Sequence, residues 1–276
     1  MCRRIGRGNF ADVWLVLRDS DKAQFAAKVV CMEKLLIYKQ KRNSHLSLTS
    51  EASVLMSLQH EGIIKLHLHF ELNRQLYLII DLMCGGDLLS SLLHDGRFSE
   101  IHAKRLVCQI CAAVRYIHSQ DIVHRDIKPD NILLTSRDRT TSVAKISDFG
   151  LARQTTTSDD CKTFCGTYLY MAPEKLCMST CFQAGQPVGY SKQVDMWSAG
   201  VSMYMVLCAM PPFDDEFMYG QIVHGVYDFN GEEWSDVSSE AQYLVTKLMT
   251  CCAMTRFTSN EAVFYVNYTW NPAIAQ

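Results

Sequence analysis

Three side chains able to bind a cation or orient a hydroxyl recur at short spacing mid-chain. They are Asp126 and Asn131 in VHRDIKPDNILL (123–134) and Asp148 in KISDFGLA (145–152). Two carboxylates and an amide are hard oxygen donors. They suit a divalent metal that bridges nucleotide phosphates while one carboxylate orients an attacking hydroxyl. The chemistry such residues fit is phosphoryl transfer, which asks of a protein chiefly positioning and charge neutralisation. Two further charges stand in apolar surroundings: Lys28 interrupts the strand-like run FAAKVV, and Glu51 falls on the stripe Leu48, Leu55, Leu58 of LTSEASVLMSLQH. A carboxylate facing inward needs a cationic partner. Two readings stand: Lys28 and Glu51 pair, or both reach out to solvent. Upstream, GRGNFADV (6–13) has glycines that let a backbone approach phosphates closely. A dinucleotide-binding loop leads into a helix, whereas Val13, Leu15 and Leu17 alternate like a second strand. By itself a G-x-G is a weak signal, since most are simple turns.

The elements that must position these groups change character along the chain. From Ile5 to Asp81 short strand-like runs dominate (DVWLVL, FAAKVV, QLYLIID), with a turn at Asp19-Ser20-Asp21. They predict a small, mostly antiparallel sheet carrying one key helix, LTSEASVLMSLQH. After Gly85-Gly86 the apolar spacing becomes helical in IHAKRLVCQICAAVRYIHS, KQVDMWSAGVSMYMVLCAM and SSEAQYLVTKLMTCC. The expected class is α+β, with a small lobe over 1–82 and a larger, mainly helical lobe over 83–276. A chain of 276 residues is long enough for both cores.

Composition narrows the function classes. A hydrophobic fraction of 48%, a charged fraction of 20% and a net charge of -2 give no general attraction to nucleic acid or anionic membrane. The most apolar run, Leu76 to Met83, contains Asp81 and falls far short of the roughly 20 residues of a bilayer span. MCRRIG lacks the apolar core of a secretion signal, so the twelve cysteines read as reduced thiols of the cytosol, with the nucleus as the alternative. Cys108 and Cys111 form a C-x-x-C on a helical run without a second pair to complete a zinc site, which favours a packed helix face. Cys161 and Cys165 fall in a polar loop, either as plain loop residues or as reactive thiols.

With its motifs in order (glycine loop, strand lysine, helix glutamate, H-R-D, D-F-G, A-P-E), the sequence resembles the eukaryotic protein kinase family over nearly its whole length. The resemblance implies a bilobal fold and transfer of phosphate from Mg-ATP to protein hydroxyls. Lys28 would hold the α- and β-phosphates and pair with Glu51, and Asp148 and Asn131 would ligate Mg2+. Asp126 would accept or orient the hydroxyl proton, worth roughly a hundredfold to ten-thousandfold in rate. Lys128 would neutralise the transferring group, in the serine/threonine rather than the tyrosine pattern. Ile80 would be the gatekeeper, and the backbone of Asp81 and Met83 would face adenine. Ile5, Val13, Ala26 and Leu133 would sandwich the ring, or serve as ordinary core. Asp87 would lie near the ribose, and Gly6, Arg7 and Gly8 would form the flap over the phosphates. Glu174 would pair with Arg256, and Asp195 would hold the catalytic-loop backbone, both in structural roles.

Within the family, CGTYLYMAPE and LIIDLMCGGDLLSSL are similar to the calcium/calmodulin-dependent group. The insertion LCMSTCFQAGQPVGYSKQVD is similar to the phosphorylase kinase catalytic subunit, with checkpoint-type kinases next. No basic amphipathic helix follows within this sequence, so calmodulin binding would need a segment outside it. Thr163 matches the family's activating position. Phosphorylated by an upstream kinase, it would pair with Arg125. Thr155, Thr156 and Thr157 read as loop solubilisers. Asp87 and Asp130 imply protein substrates with arginine before the target serine or threonine, or else are polar loop residues. Two departures are Ala11, where a third glycine is usual, and Tyr168, where proline is usual; Tyr168 bears on substrate docking. The competing function is a pseudokinase scaffold that binds nucleotide or partners without transfer, against which stands the complete set Lys28, Glu51, Asp126, Asn131 and Asp148.

Overall fold

Five strands form, β1 (Arg3–Arg7), β2 (Ala11–Leu17), β3 (Gln24–Cys31), β4 (Leu66–Leu72) and β5 (Gln75–Ile80), of which β2, β3 and β5 are the richest in β-branched and aromatic residues. They form one antiparallel sheet in the order β1-β2-β3-β5-β4. The computed structural model describes residues 3–8, 11–34, 48–154, 167–177 and 191–272. Thr163, residues 155–157, Cys161, Cys165 and most of the insertion (178–190) lie outside them.

Helix α1 (Leu48–Ser57) lies across one sheet face, where Ala52 packs with Val30, Leu76 and Leu78. On the other face Ala27, Val29 and Tyr77 cluster with Trp14, Val16 and Ile79. Both faces are therefore partly covered, and β2 is half-buried at nearly every position instead of alternating wet and dry. Ala11 packs on the first cluster, so the methyl at this position has a use in the core.

Residues 81–87 lead from the sheet to the helical part. Gly85 is required there by close approach: its N–H donates to Leu134 O at 2.9 Å, and a Cβ would stand 2.4 Å from Ser136 O. Below lie the short strands β6 (Gly86–Asp87), β7 (Ile122–Val123), β8 (Ile132–Leu134), β9 (Ala144–Ile146) and β10 (Arg153–Gln154), paired as β6-β8-β9 and β10-β7. The helices that support them are α2 (Leu88–Asp95), α3 (Glu100–Ser119), α4 (Gln193–Cys208), α5 (Met218–His224), α6 (Ser239–Leu248) and α7 (Ser259–Tyr268).

Helix α4 is buried on every side from Val194 to Cys208, as expected of a helix apolar all round, and α3 and α6 pack against it. The periodic run SSEAQYLVTKLMTCC ends its helix at Leu248, earlier than its spacing predicts. Cys108 and Cys111 occupy a packed face of α3. Burial raises both thiols, that of Cys111 to about 12, and Cys108 Sγ donates to Asn267 Oδ1 at 3.3 Å. Among the described residues no cluster of three metal-ligating side chains forms, and no helix is long and apolar enough to cross a membrane.

Candidate active site

Lys28 sits mid-strand on β3, between Val13 of β2 and Leu78 of β5, on the face that α1 covers. Its Nζ donates to Glu51 Oε1 at 2.7 Å and to Asp148 Oδ1 at 2.9 Å. The inward charges therefore pair instead of reaching solvent, across 23 and 120 residues of sequence. Burial alone would lower the Lys28 pKa, but Asp148 and Glu51 more than offset it and hold the ammonium above the ordinary lysine range. The same ammonium holds the Asp148 carboxyl down at about 2. Burial pushes the Glu51 carboxyl up, against the pull of Lys28.

Asp148 adopts left-handed backbone (φ 60, ψ 70), a region that aspartate tolerates better than most residues. A single 3-10 turn, Phe149–Leu151, follows it. Phe149 is fully buried with its ring edge-on to His124 at 4.6 Å, which pins the carboxylate beneath Lys28.

The other half of the site hangs from α4. Asp195, fully buried, accepts from the backbone N–H of His124 and of Arg125, both at 2.8 Å, and contacts His118 Nε2 at 3.0 Å. Burial would raise this carboxyl, but the His118 contact and these hydrogen bonds outweigh it and hold the pKa down. The anchored turn places Arg125 in left-handed backbone (φ 70), buried, with Nε donating to Leu151 O at 2.6 Å. It also presents Asp126. Asn131 Nδ2 donates to Asp126 O at 2.8 Å and to its Oδ2 at 2.9 Å. Lys128 Nζ lies 3.4 Å from the same Oδ2 and donates to Thr167 Oγ1 at 2.8 Å.

Between the two halves opens a cleft of about 290 Å³. Its apolar walls include Ile5, Val13, Ala26, Ile80, Met83 and Leu133, and Asp81, Asp87, Asn131 and Asp148 join them with Lys28 and Glu51. Leu55, Ile64, Leu78, Gly86 and Ser147 also line it, residues that sequence reasoning did not assign to the site. Gly6, Arg7 and Gly8 are not part of the lining. They form the β1–β2 hairpin beside it, with a register irregularity between Arg4 and Gly6 and a hydrogen bond from Gly8 N to Ala11 O at 2.7 Å. Asp126 and Lys128 also stand outside the lining.

Two acidic residues are committed in ways the sequence did not reveal. Asp87 caps α2, accepting from Ser90 N at 2.7 Å and Ser90 Oγ at 2.8 Å. Asp81, which lines the cleft, gives its carboxylate to Lys145 Nζ at 2.7 Å and His67 Nε2 at 2.8 Å. Burial alone would raise the Asp81 carboxyl, but these two partners outweigh it and lower the pKa. Asp130 is exposed.

The donor set fits a magnesium ion. The amide nitrogen of Asn131 is taken by Asp126, which leaves Asn131 Oδ1 to ligate, and Lys28 keeps Asp148 ionised. Two oxygen ligands are what this cation takes from a protein when phosphates and water supply the rest.

Residues 1–267 match the family model described as the protein kinase domain. The chain is 36% identical over 269 residues to the probable serine/threonine-protein kinase fhkC of Dictyostelium discoideum, covering 96% of this chain and 43% of that protein. It is 36% identical over 272 residues to calcium/calmodulin-dependent protein kinase type 1 of Caenorhabditis elegans (98% of this chain, 74% of the relative). Against myosin light chain kinase A of Dictyostelium discoideum it is 35% identical over 269 residues (96% and 85%). The chain thus spans less than half of fhkC and most of the other two.

Proposed function

The chain belongs to the protein kinase family, and from that premise we propose that it transfers the γ-phosphoryl group of ATP to serine or threonine hydroxyls of proteins. One observation carries the reading: Lys28 binds Glu51 and Asp148 at once, while Asp126, Asn131 and Lys128 meet on the adjacent loop.

Ile5, Val13, Ala26 and Leu133 clasp the adenine, against Ile80 and the backbone of Asp81 and Met83. Lys28, oriented by Glu51, holds the α- and β-phosphates, and the hairpin with Gly6, Arg7 and Gly8 lies over them. Asp148 and Asn131 would hold Mg2+, which when bound neutralises charge between the β- and γ-phosphates. Asp126, steadied by Asn131, orients the incoming hydroxyl and takes its proton. Lys128 offsets charge on the transferring group and, through Thr167, links that position to the segment that receives the substrate.

Exposed Asp130 supports a preference for basic residues before the target hydroxyl. Asp87 supports it less, because Ser90 already engages both its carboxylate oxygens. Incubation with labelled Mg-ATP and a basic peptide library is expected to label peptides with arginine two or three residues before serine or threonine. Asp148→Asn should reduce labelling to background. Wild-type labelling no higher than that control, even after treatment with an upstream kinase, would leave the scaffold reading in its place. Labelling without arginine enrichment would remove the basophilic preference alone.

Control by phosphorylation of Thr163 rests on Arg125, whose buried guanidinium belongs to the same turn as Asp126 and already reaches Leu151 after Asp148. One charge-assisted hydrogen bond of about 1.5–3 kcal/mol shifts an ordering equilibrium roughly tenfold to a hundredfold. Thr163→Ala is expected to lose a stimulation of that size by an upstream kinase. Full stimulated activity in the variant would exclude this control. Eight free thiols among the described residues support a reducing compartment, the cytosol with the nucleus as alternative.

A further inference from the structure

The sheet ends at β4, whose outer edge no other strand pairs among the described residues. Soluble proteins protect such an edge with lysine, proline, a bulge or a covering element, because its unpaired N–H and C=O groups recruit another strand. Here LHLHFEL contains neither lysine, arginine nor proline, and its only formal charge is Glu71. The register irregularity of this strand falls between Leu66 and Leu68, leaving 68–72 regular. Leu68 is 57%, Phe70 39% and Leu72 54% exposed, and all three share one sheet face, opposite Ile79, Tyr77 and Gln75. Phe70 is held in place by stacking on Tyr77 (centroids 4.8 Å, interplanar angle 5°). On the other face His69 Nε2 rests 3.1 Å from Sδ of Met56, which is 66% exposed.

We propose that this edge is a self-association surface: β4 pairs antiparallel with β4 of a second copy about a two-fold axis at Phe70, joining the two sheets into one. The residues select both the occupant and the register. An axis normal to the sheet must pass through a residue, so that side chains facing each other share a sheet face. Centred on Phe70, the axis sets Leu68 against the second copy's Leu72 and Phe70 against Phe70. It also sets His69 against Glu71, twice, as an imidazole donor against a carboxylate. Opposed side chains at this spacing have Cβ atoms about 4.5–5.5 Å apart, within contact. Centred on Glu71, it would oppose two carboxylates. Centred on His69, it would require His67, which lies at the irregularity and is already bound to Asp81 at 2.8 Å. The Phe70 register alone opposes apolar with apolar and donor with acceptor at every regular position. None of these side chains lines the nucleotide cleft or touches Asp126.

Sedimentation equilibrium of the purified chain over a wide concentration range tests this. Its weight-average mass is expected to rise from 31.4 kDa toward twice that value. Leu68→Lys should raise the midpoint concentration at least about tenfold, by setting a charge against leucine. The double variant Leu68→Lys/Leu72→Glu should restore association, because in this register the new lysine at 68 faces the new glutamate at 72 of the other copy. Unchanged thermal unfolding shows that each variant is folded, and the double variant reports even where the single one is impaired. A wild-type chain monomeric throughout, an association indifferent to Leu68→Lys, or no recovery in the double variant would overturn the proposal.

Discussion

Asp126→Asn is expected to lower kcat by roughly a hundredfold to ten-thousandfold while leaving ATP affinity and thermal stability close to wild type. The substitution removes the proposed proton acceptor and the negative charge that faces Lys128 Nζ at 3.4 Å. Shape is conserved, and an asparagine at 126 can turn its own oxygen toward Asn131 Nδ2, preserving the contact now made at 2.9 Å. The backbone carbonyl of residue 126 still accepts from the same amide at 2.8 Å. The loop itself is fixed from behind by Asp195 through the N–H groups of His124 and Arg125, contacts that do not pass through the Asp126 side chain. In the proposed reading ATP contacts belong to the cleft, whose lining does not include residue 126. A fall in kcat with unchanged nucleotide binding therefore assigns the Asp126 carboxylate to the chemical step and not to nucleotide binding. Loss of ATP binding or a large drop in Tm would assign Asp126 a structural role, and wild-type turnover would remove it from the chemistry.

How much of this site could be read beforehand depended on how local each signal is. Lys28 and Glu51 were legible as candidates because each violates the apolar pattern of its own element, but pairing and reaching out to solvent stood side by side until strand and helix were seen to bring them to 2.7 Å. Asp126, Asn131 and Asp148 were legible from short-range spacing. The partners of Asp81 were not: Lys145 lies 64 residues away in a three-residue strand, and a lysine in AKI has no pattern to violate. The capping role of Asp87 was written in Asp-Leu-Leu-Ser, an N-cap followed by an exposed hydroxyl, but a carboxylate beside a nucleotide cleft invites a ligand role first. The shape of the sheet was least legible. LHLHFEL precedes QLYLII in the chain, yet β5 is the inner strand and β4 the edge. Nothing in either segment states that order; it follows from where α1 returns the chain to the sheet.

Glu174→Gln is expected to destabilise the fold by about 3 kcal/mol, the lower end of the cost of breaking a buried ion pair by removing one partner. The Arg256 side chain is fully buried and the Glu174 side chain 23% exposed, and they meet in a fork, Nη1 to Oε1 at 2.7 Å and Nη2 to Oε2 at 2.9 Å. The lower end applies because Arg256 also donates to the carbonyls of Gln193, Thr250 and Cys251, so the guanidinium keeps hydrogen bonds when it loses its counter-charge. For a chain of this size that cost lowers Tm by roughly 6–12 °C. Replacing both partners with apolar residues, Glu174→Leu with Arg256→Met, should cost less than Glu174→Gln alone, because no buried charge is then left unpaired. Neither residue touches the cleft, but Gln193 opens α4 and its side chain returns the contact, with Nε2 donating to Arg256 O at 2.8 Å. Two residues later on α4, Asp195 anchors the turn that carries Asp126. The ion pair therefore supports the helix from which the loop bearing Asp126 hangs. Well below the new Tm, kcat should stay within a few-fold of wild type, because Asp195 remains in place. An unchanged Tm in Glu174→Gln would mean that the carbonyls alone satisfy Arg256. A collapse of kcat in protein that is still folded would mean that the pair positions the loop directly.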